Sequence, residues 1–409
     1  MPSIHLRDYE PIVGHSILEE LRLLAKSLKG KRVKMVNSTA VGGGVAEILH
    51  RLVPLLNELD VQTQWEVMKG GQDFFIVTKQ IHNGLHGQSL SWTSQMEEIF
   101  LDVGHENLMN SDLGYDVIVI HDPQPIAYID GKGETRAKWV WRCHIDISNP
   151  HEGVWRFLRG YIERFDAALF SSPRFAKKLP IPQYLFFPPI DPLSEKNKEL
   201  EPDTIDQVLE GLQVPRDKPI ITQISRFDRL KDPIGVIQAY RMAKRFVDCR
   251  LVLAGGEASD DPEGGIILDE VRTEAQGDPD IHVLRLPPTS SLEINALQRA
   301  SALILQKSIR EGFGLTVTEA LWKKKPVIGS AVGGIPAQII PRFTGVLVYS
   351  IEGTAYQIRY LLSHPEIAQK LGENGHEYVK RQFLITQALR RYLLLLHALE
   401  HPGERIIYA

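Results

Sequence analysis

Two series of short apolar segments, each alternating with helical patterns, constrain the fold of this 409-residue chain more than any other feature. In the first half, the strand candidates are residues 32–37, 61–68, 116–120, 138–144 and 167–170. In the second half, they are residues 219–224, 250–254, 281–286, 302–306, 326–328 and 345–348. Strands that alternate with helices are typical of parallel sheets covered on both faces. We therefore expect an α/β protein built from two Rossmann-like domains.

A proline-rich segment separates the two series. Residues 187–193 (FPPIDPL) contain three prolines and precede a charged stretch over 195–203, a composition typical of a linker. The predicted domains are therefore residues 1–190 and 191–380. Residues 381–409 contain a strongly apolar helix candidate over 384–399. A chain of this length, with 43% hydrophobic residues, exceeds one typical core, which agrees with two domains.

Composition argues against several classes of partner. A net charge of −4 without a clustered basic stripe argues against nucleic acid. The two cysteines, Cys143 and Cys249, lack metal-ligand spacing and fit a reducing cytosol. The amino terminus shows no basic and apolar leader, and the run Leu393 to Leu396 is far shorter than the ~20 residues that span a membrane. We expect a cytoplasmic protein without a membrane partner.

The most informative local motif is Glu311 followed after seven residues by Glu319. It lies between the apolar segment 301–306 and a helix candidate over 316–324, with two glycines in the turn. Glycines permit close approach of a ligand, and a helix start presents N–H groups suited to a diphosphate. Carboxylates there can accept hydrogen bonds from sugar hydroxyls and a ribose diol. Taken alone, the spacing also fits two solvated helix carboxylates.

Two cations follow the first strand candidate of the second series. Arg226 and Lys231 lie in a loop between residues 219–224 and a helix that begins near Pro233, a residue suited to a first helical turn. Guanidinium and ammonium groups beside a diphosphate would neutralise charge that builds on a departing phosphate. A basic pair on the surface is the alternative.

The first strand candidate is followed by Gly42, Gly43 and Gly44, before an amphipathic run over 46–56. Such a turn permits close backbone approach, and the helix start favours an anion or a polar sugar. A plain tight turn is the alternative. The spacing is not G-x-G-x-x-G, which argues against a nicotinamide oxidoreductase.

Polar residues also follow two other strand candidates of the first half. His121 and Asp122 follow residues 116–120 in the segment HDPQP, and His144 ends WRCH before Ile-Asp. Ligands of parallel sheets bind at the carboxyl ends of strands, so we expect these side chains at a site. Helix caps or loop hydrogen bonds are the alternative for each segment alone.

Together these motifs resemble a known family. Arg226-x4-Lys231 with Glu311-x7-Glu319 resembles the donor site of glycosyltransferase family 4, retaining enzymes of the GT-B fold, in which two Rossmann-like domains face each other across a cleft. HDPQP, WRCHID and the segment over 77–86 are similar to the trehalose-forming branch. The resemblance implies a retaining glucosyltransferase that makes α,α-trehalose from NDP-glucose and free glucose, reversibly. It also implies that the last helix returns to the first domain.

The resemblance assigns roles to donor-site residues. Arg226 and Lys231 would hold the diphosphate, Glu311 the hydroxyls of the donor glucose and Glu319 the ribose. His144 would contact the donor glucose near its hydroxymethyl group. Arg226, Lys231, Glu311 and His144 are thus the catalytic candidates. The remaining donor-site candidates are Gly42, Gly43, Gly44, Gly312, Phe313, Gly314 and Leu315, with the amides of Gly333 and Gly334.

On the acceptor side, the resemblance implies that Asp122 grips the acceptor glucose. His144 and three residues of the segment over 77–86 would accompany it, namely Lys79, His82 and Asn83. The family mechanism is front-face attack, in which the departing phosphate oxygen takes the proton of the acceptor hydroxyl.

No metal ligand is expected from the protein. The motif Asp278-Pro-Asp280 precedes a strand candidate and should lie at the amino end of the sheet, opposite the site. No cofactor is required by the sequence, and a divalent ion such as Mg²⁺ would accompany only the nucleotide. A retaining trehalose phosphorylase and a catalytically silent nucleotide-sugar-binding protein stay as alternatives. The base of the nucleotide and the oligomeric state, including a homodimer, stay open.

Overall fold

The computed structural model describes residues 4–41, 43–256 and 264–403. The chain divides into two compact units. Unit 1 comprises Met1–Pro189 with Ile385–Ala409, and unit 2 comprises Ile190–Leu384. Each unit contains a six-stranded sheet in which neighbouring strands run parallel. The expected α/β class with one parallel sheet in each half is confirmed.

The sheet of unit 1 has the strand order β2-β1-β3-β4-β5-β6. Its strands are β1 (Arg32–Asn37), β2 (Gln62–Val67), β3 (Val117–His121), β4 (Lys138–Cys143), β5 (Ala167–Phe170) and β6 (Gln183–Leu185). The helices are α1 (Glu10–Val13), α2 (His15–Lys26), α3 (Gly44–Glu58), α4 (Gln72–Leu85), α5 (Ser94–Met109) and α6 (Glu152–Ile162). The direction of chain progression reverses between β1 and β3, and ligands of such sheets bind at that position.

The central strands β1, β3, β4 and β5 are buried on both faces of the sheet. In β4, Trp139, Trp141 and Cys143 point into one core cluster and are fully buried. The intervening Arg142 on the other face is only 2% exposed. Buried parallel strands are nearly continuous apolar runs in the sequence, which explains why the sequence predicted β1, β3, β4 and β5. β6 was missed because it is a three-residue edge strand with mostly exposed side chains.

The sheet of unit 2 has the order β12-β11-β10-β7-β8-β9. Before its first strand, the chain forms helix α7 (Pro202–Gly211). The strands are β7 (Ile220–Ile224), β8 (Arg250–Gly255), β9 (Ile281–Arg285), β10 (Leu303–Gln306), β11 (Val327–Ser330) and β12 (Val346–Val348). The helices that follow α7 are α8 (Pro233–Lys244), α9 (Gly264–Ala275), α10 (Ser291–Ala300), α11 (Leu315–Trp322), α12 (Ile335–Gln338), α13 (Ile351–Ser363) and α14 (Pro365–Gln382). Here the direction of progression reverses between β7 and β10.

The last helix, α15 (Ile385–Glu400), belongs to unit 1. Arg390 Nε donates to Glu20 Oε1 at 2.7 Å, and His397 Nε2 donates to the carbonyl oxygen of Leu24 at 2.9 Å. The apolar face of α15 is buried. Within the described ranges, no helix is long and apolar enough to cross a membrane.

Candidate functional site

The loops after β7 and β10 meet at the point where the strand order of unit 2 reverses. Lys231 Nζ lies 2.7 Å from Glu311 Oε2, and both side chains are largely buried. The backbone N–H of Ile309 donates to the carbonyl oxygen of Leu230 at 2.7 Å, which joins the two loops directly. The structure thus brings together a predicted cation and a predicted carboxylate that lie far apart in the sequence.

Two further side chains hold the carboxylate of Glu311. Gln306 Nε2 and Ser308 Oγ each donate to Glu311 Oε2 at 3.1 Å. With Lys231, three donors converge on one carboxylate oxygen, so the negative charge is compensated in a buried position. Sequence reasoning missed Gln306 and Ser308. A polar glutamine at the end of the apolar strand β10 was the available signal.

The side chain of Gln223, the fourth residue of β7, forms hydrogen bonds with both loops. Its Nε2 donates to the carbonyl oxygen of Lys231 at 2.9 Å, and its Oε1 accepts from the backbone N–H of Lys307 at 2.9 Å. Lys307 in turn forms an ion pair with Asp232, the residue that caps α8. Lys307, a cation absent from the sequence prediction, therefore lies in the same pair of loops as Lys231.

Glycines allow the segment after β11 to pass against Glu311. Gly333 has φ 54°, and a Cβ atom there would lie 1.6 Å from the carbonyl oxygen of Glu311. The backbone N–H of Gly334 donates to that same oxygen at 3.3 Å. Gly314, with φ 82°, is the N-cap residue of α11. Only glycine adopts these conformations readily at such short distances.

Arg226 lies on the loop of Lys231, and its side chain is 44% exposed. Its Nη2 atom is 3.4 Å from Asp228 Oδ2. Asp228 also accepts from the backbone N–H of Leu230 through Oδ1 at 2.7 Å, which shapes the short 3-10 turn Arg229–Lys231. Arg226 is thus presented at the surface of unit 2 by an ordered turn.

Glu319 has a different set of partners from Glu311. It lies on α11, is only 4% exposed, and has Lys196 Nζ at 3.7 Å and Gln298 Nε2 at 3.4 Å. One turn later, Lys323 Nζ donates to Asn197 Oδ1 at 2.9 Å. Burial lowers the pKa of Lys323 to about 7. Glu319 is buried and paired, so the alternative of a solvated helix carboxylate is wrong for this residue.

The other residues of the motif contribute mainly backbone. The ring of Phe313 packs against Phe383 with centroids 5.9 Å apart and is 5% exposed. Gly312 and Leu315 are partly exposed. Leu315 is the first residue of α11, so its N–H group lies at a helix start, where an anion is favoured. Gly312 lies two residues before the N-cap residue Gly314.

In unit 1, the loops after β3 and β4 bring Asp122 and His144 together. Asp122 Oδ1 accepts from the backbone N–H of His144 at 2.7 Å. Asp122 has φ 64°, a backbone conformation that residues other than glycine adopt at a cost in free energy. Trp141 Nε1 donates to the carbonyl oxygen of Asp122 at 3.1 Å. Burial raises the pKa of the Asp122 carboxyl group to about 7.

His121, directly before Asp122, contacts the ring of His144. Its Nδ1 atom lies 3.1 Å from His144 Nε2, and the two rings are stacked with centroids 5.4 Å apart and an interplanar angle of 12°. Burial and the nearby Arg142 guanidinium lower the pKa of His121 to about 3 and that of His144 well below its usual value. Both rings are therefore neutral at physiological pH.

The predicted glycine turn and the α4 residues lie on other elements of unit 1. Gly43, with φ 86°, is the N-cap residue of α3, and Gly44 is its first residue. Gly42 lies outside the described residues. Lys79, His82 and Asn83 are partly buried on α4, and their spacing of three and four residues places them on one side of the helix.

Known proteins are similar to this chain over both units. Residues 35–177 match the trehalose synthase N-terminal domain, and residues 205–378 match the glycosyl transferases group 1. The chain is 46% identical over 400 residues to a trehalose synthase of Pyrococcus horikoshii, with 96% of each chain covered. The chain belongs to the trehalose synthase family. It is therefore a trehalose-related glycosyltransferase.

More distant proteins share the fold of this trehalose synthase family member. A trehalose phosphorylase of Pleurotus pulmonarius is 32% identical over 390 residues, which cover 82% of this chain and 52% of the phosphorylase. The solved structure of an alpha,alpha-trehalose-phosphate synthase (UDP-forming) from Burkholderia vietnamiensis superposes with a TM-score of 0.70 at 13% identity, covering 90% of this chain and 96% of that one. The two parallel-sheet units are those of the GT-B fold.

The Asp-x-Asp motif of this family member has protein partners. Asp280 directly precedes β9 and so lies at the amino end of that strand. Its carboxylate lies 2.8 Å from both Lys218 Nζ and Lys244 Nζ and 3.0 Å from Arg250 Nη2. Hydrogen bonds from the two lysines hold the pKa of Asp280 far below its usual range. The motif is an ion-paired loop, remote from the carboxyl ends of the strands.

Proposed function

We propose that this chain is a retaining glucosyltransferase that forms α,α-trehalose from NDP-glucose and free glucose, in a reaction that runs in both directions. The observation that carries the proposal is the Lys231–Glu311 pair, held at 2.7 Å where the strand order of unit 2 reverses. A cation and a carboxylate beside the start of α11 suit a donor that carries both a diphosphate and a sugar.

On the donor side, Lys231 and Arg226 compensate the charge that grows on the diphosphate as the glycosidic bond breaks. Glu311 accepts hydrogen bonds from hydroxyls of the transferred glucose. Its fixation by Gln306 and Ser308 supports this role, because a carboxylate already held in place loses little freedom when the sugar binds. Glu319 binds the ribose, and residues 286–289, after β9, lie against the base.

On the acceptor side, Asp122 grips the acceptor glucose and His144 contacts the donor glucose, with Lys79, His82 and Asn83 as companions. The acceptor hydroxyl oxygen bonds to the anomeric carbon while the bond from that carbon to the phosphate oxygen breaks. The acceptor approaches from the face that the diphosphate leaves, so the configuration is retained without a protein nucleophile. The departing phosphate oxygen takes the hydroxyl proton. A divalent ion accompanies the nucleotide rather than protein ligands.

The test is a panel of UDP-, ADP- and GDP-glucose with free glucose, following nucleoside diphosphate release and loss of reducing ends. Loss of one reducing end for each nucleoside diphosphate released supports the proposal. Release of glucose 1-phosphate from trehalose and inorganic phosphate, with no use of any NDP-glucose, would show a phosphorylase instead. The lengths favour the synthase, because the chain covers 96% of the P. horikoshii synthase but only 52% of the phosphorylase. Nucleotide-sugar binding without turnover would indicate a silent binding protein.

A further inference from the structure

We propose that His121 is a positioning residue that holds His144 in one tautomer, with the proton on Nδ1, so that His144 offers an N–H donor to a sugar hydroxyl. The inference rests on the proposed function in one respect, namely that His144 contacts a sugar. The tautomer itself is a property of the free protein.

Two neutral imidazoles share one proton across this contact. His121 Nδ1 and His144 Nε2 lie 3.1 Å apart, which is a hydrogen-bonding distance. Either His144 donates from Nε2 to His121, or His121 donates from Nδ1 to His144. In the first case the second proton of the pair lies on His121 Nε2, and in the second case it lies on His144 Nδ1.

The surroundings of His121 Nε2 distinguish the two arrangements. This atom is buried and has no hydrogen-bond partner among the described residues. A proton there would be a buried N–H donor left unsatisfied, which native structures tolerate less well than an unpaired acceptor. His121 therefore donates from Nδ1, and His144 carries its proton on Nδ1.

The two residues differ in access to a ligand. His121 is 2% exposed, whereas His144 is partly exposed at the end of β4. The backbone of His144 is held by Asp122, and its ring by His121. His121 thus acts through His144 and sets both the orientation and the donor character of that ring.

The direct test is NMR of the full chain labelled with ¹⁵N-histidine, with the His144 signals assigned by their loss in His144→Asn. The wild type should show His144 as the Nδ1–H tautomer. His121→Phe keeps a stacked ring of similar size but removes the donor, so His144 should lose its single tautomer. His121→Asn restores an N–H near the position of Nδ1 and should recover it at least in part.

Kinetics supply the second readout. The kcat for trehalose formation should fall about tenfold in His121→Phe, the effect of one misdirected hydrogen bond, and recover partly in His121→Asn. His282→Phe is the matched control, because His282 also has a buried Nε2 without a partner but lies on β9 of unit 2. It should leave the His144 signals and kcat unchanged.

A wild-type His144 protonated on Nε2 would overturn the proposal, even if no variant folds. So would an unchanged His144 tautomer in His121→Phe, whatever happens to kcat, because the effect would then be merely structural. If the wild type uses no NDP-glucose, the proposed function fails, while the tautomer measurement still decides the role of His121.

Discussion

Lys231 and Glu311 lie 80 residues apart in the sequence, yet Lys231 Nζ and Glu311 Oε2 are 2.7 Å apart. Each residue ends up in a largely buried position because the other compensates its charge. A buried ion pair of this kind contributes modestly as a pair but is costly to break, since removal of one partner leaves the other charge unpaired. The pair therefore couples the stability of unit 2 to its proposed donor site.

Loss of either diphosphate cation should lower turnover more than donor affinity. In Lys231→Ala and Arg226→Ala, each lost contact removes charge compensation that is greatest in the transition state, at a cost on the order of 2–4 kcal/mol in barrier height. Steady-state kinetics with calorimetric donor binding measure the two effects. Only Lys231→Ala should also lower the free energy of unfolding, by about 1–3 kcal/mol, because Arg226 is half-exposed. Near-normal kcat in both variants would remove them from the diphosphate site.

The two glutamates of the motif should fail differently. Glu319→Gln loses the charge that strengthens hydrogen bonds to a ribose diol, so affinity for nucleoside diphosphate alone should fall. Glu311→Gln should leave that affinity nearly intact and reduce turnover, because its proposed partners are glucose hydroxyls. Calorimetry without sugar separates them. Wild-type nucleotide binding together with wild-type trehalose formation in both variants would contradict the donor-site assignment.

Asp122 should make the protein less stable as the pH rises from about 4 to 7. Its pKa is raised from 3.8 to about 7 by burial, so in this range the folded protein keeps a proton that the unfolded chain releases. The stabilising contribution of the protonated group is complete below pH 4 and is lost as the pH rises through 7. Asp122→Asn should flatten this fall in Tm, and asparagine tolerates the left-handed backbone. Parallel profiles of Tm against pH in the two proteins would show that the pKa of the Asp122 carboxyl group is not raised by folding.

Gly333→Ala should disrupt the site through the backbone alone. Its Cβ would lie 1.6 Å from the carbonyl oxygen of Glu311, at a φ of 54°. We expect the unfolding free energy to fall by at least about 1–3 kcal/mol and the activity to be lost. Gly160→Ala is the control, because that glycine lies on α6 with open space around it and should stabilise by about 0.5–1 kcal/mol. Denaturant titration compares them; equal stability of the two variants would contradict the close approach.

Free glucose should be preferred over glucose 6-phosphate as acceptor, and the product should be non-reducing with both anomeric centres α. The cation nearest in sequence to His144 is Arg142, which is buried and donates from Nη2 to the carbonyl oxygen of Phe186 at 2.6 Å. It is therefore poorly placed to meet an added phosphate. Competition between the two acceptors, with NMR of the product, measures the preference. A strong preference for the phosphorylated sugar would show that the acceptor assignment is wrong.

The sequence by itself determined the class of fold and the loops that carry the candidate site. β1 and β5 have the predicted bounds, because a strand buried between two helical layers must be apolar along its length, and this shows locally. Arg226, Lys231, Glu311, Asp122 and His144 were located for the same reason, since each follows such a strand. β6 could not be recognised, because a short exposed edge strand has no apolar pattern.

Only the tertiary structure decided which of these loops meet. Lys231 contacts Glu311 because β7 pairs with β10, and the spacing of the two residues in the sequence does not predict this contact. The same holds for the close approach of Gly333 to Glu311 and for the His121–His144 contact between neighbouring strands β3 and β4. Local residue preferences encode whether a segment is a strand or a helix. The order of strands in a sheet depends on how all segments bury their apolar faces together, and that order sets the distances between residues remote in sequence.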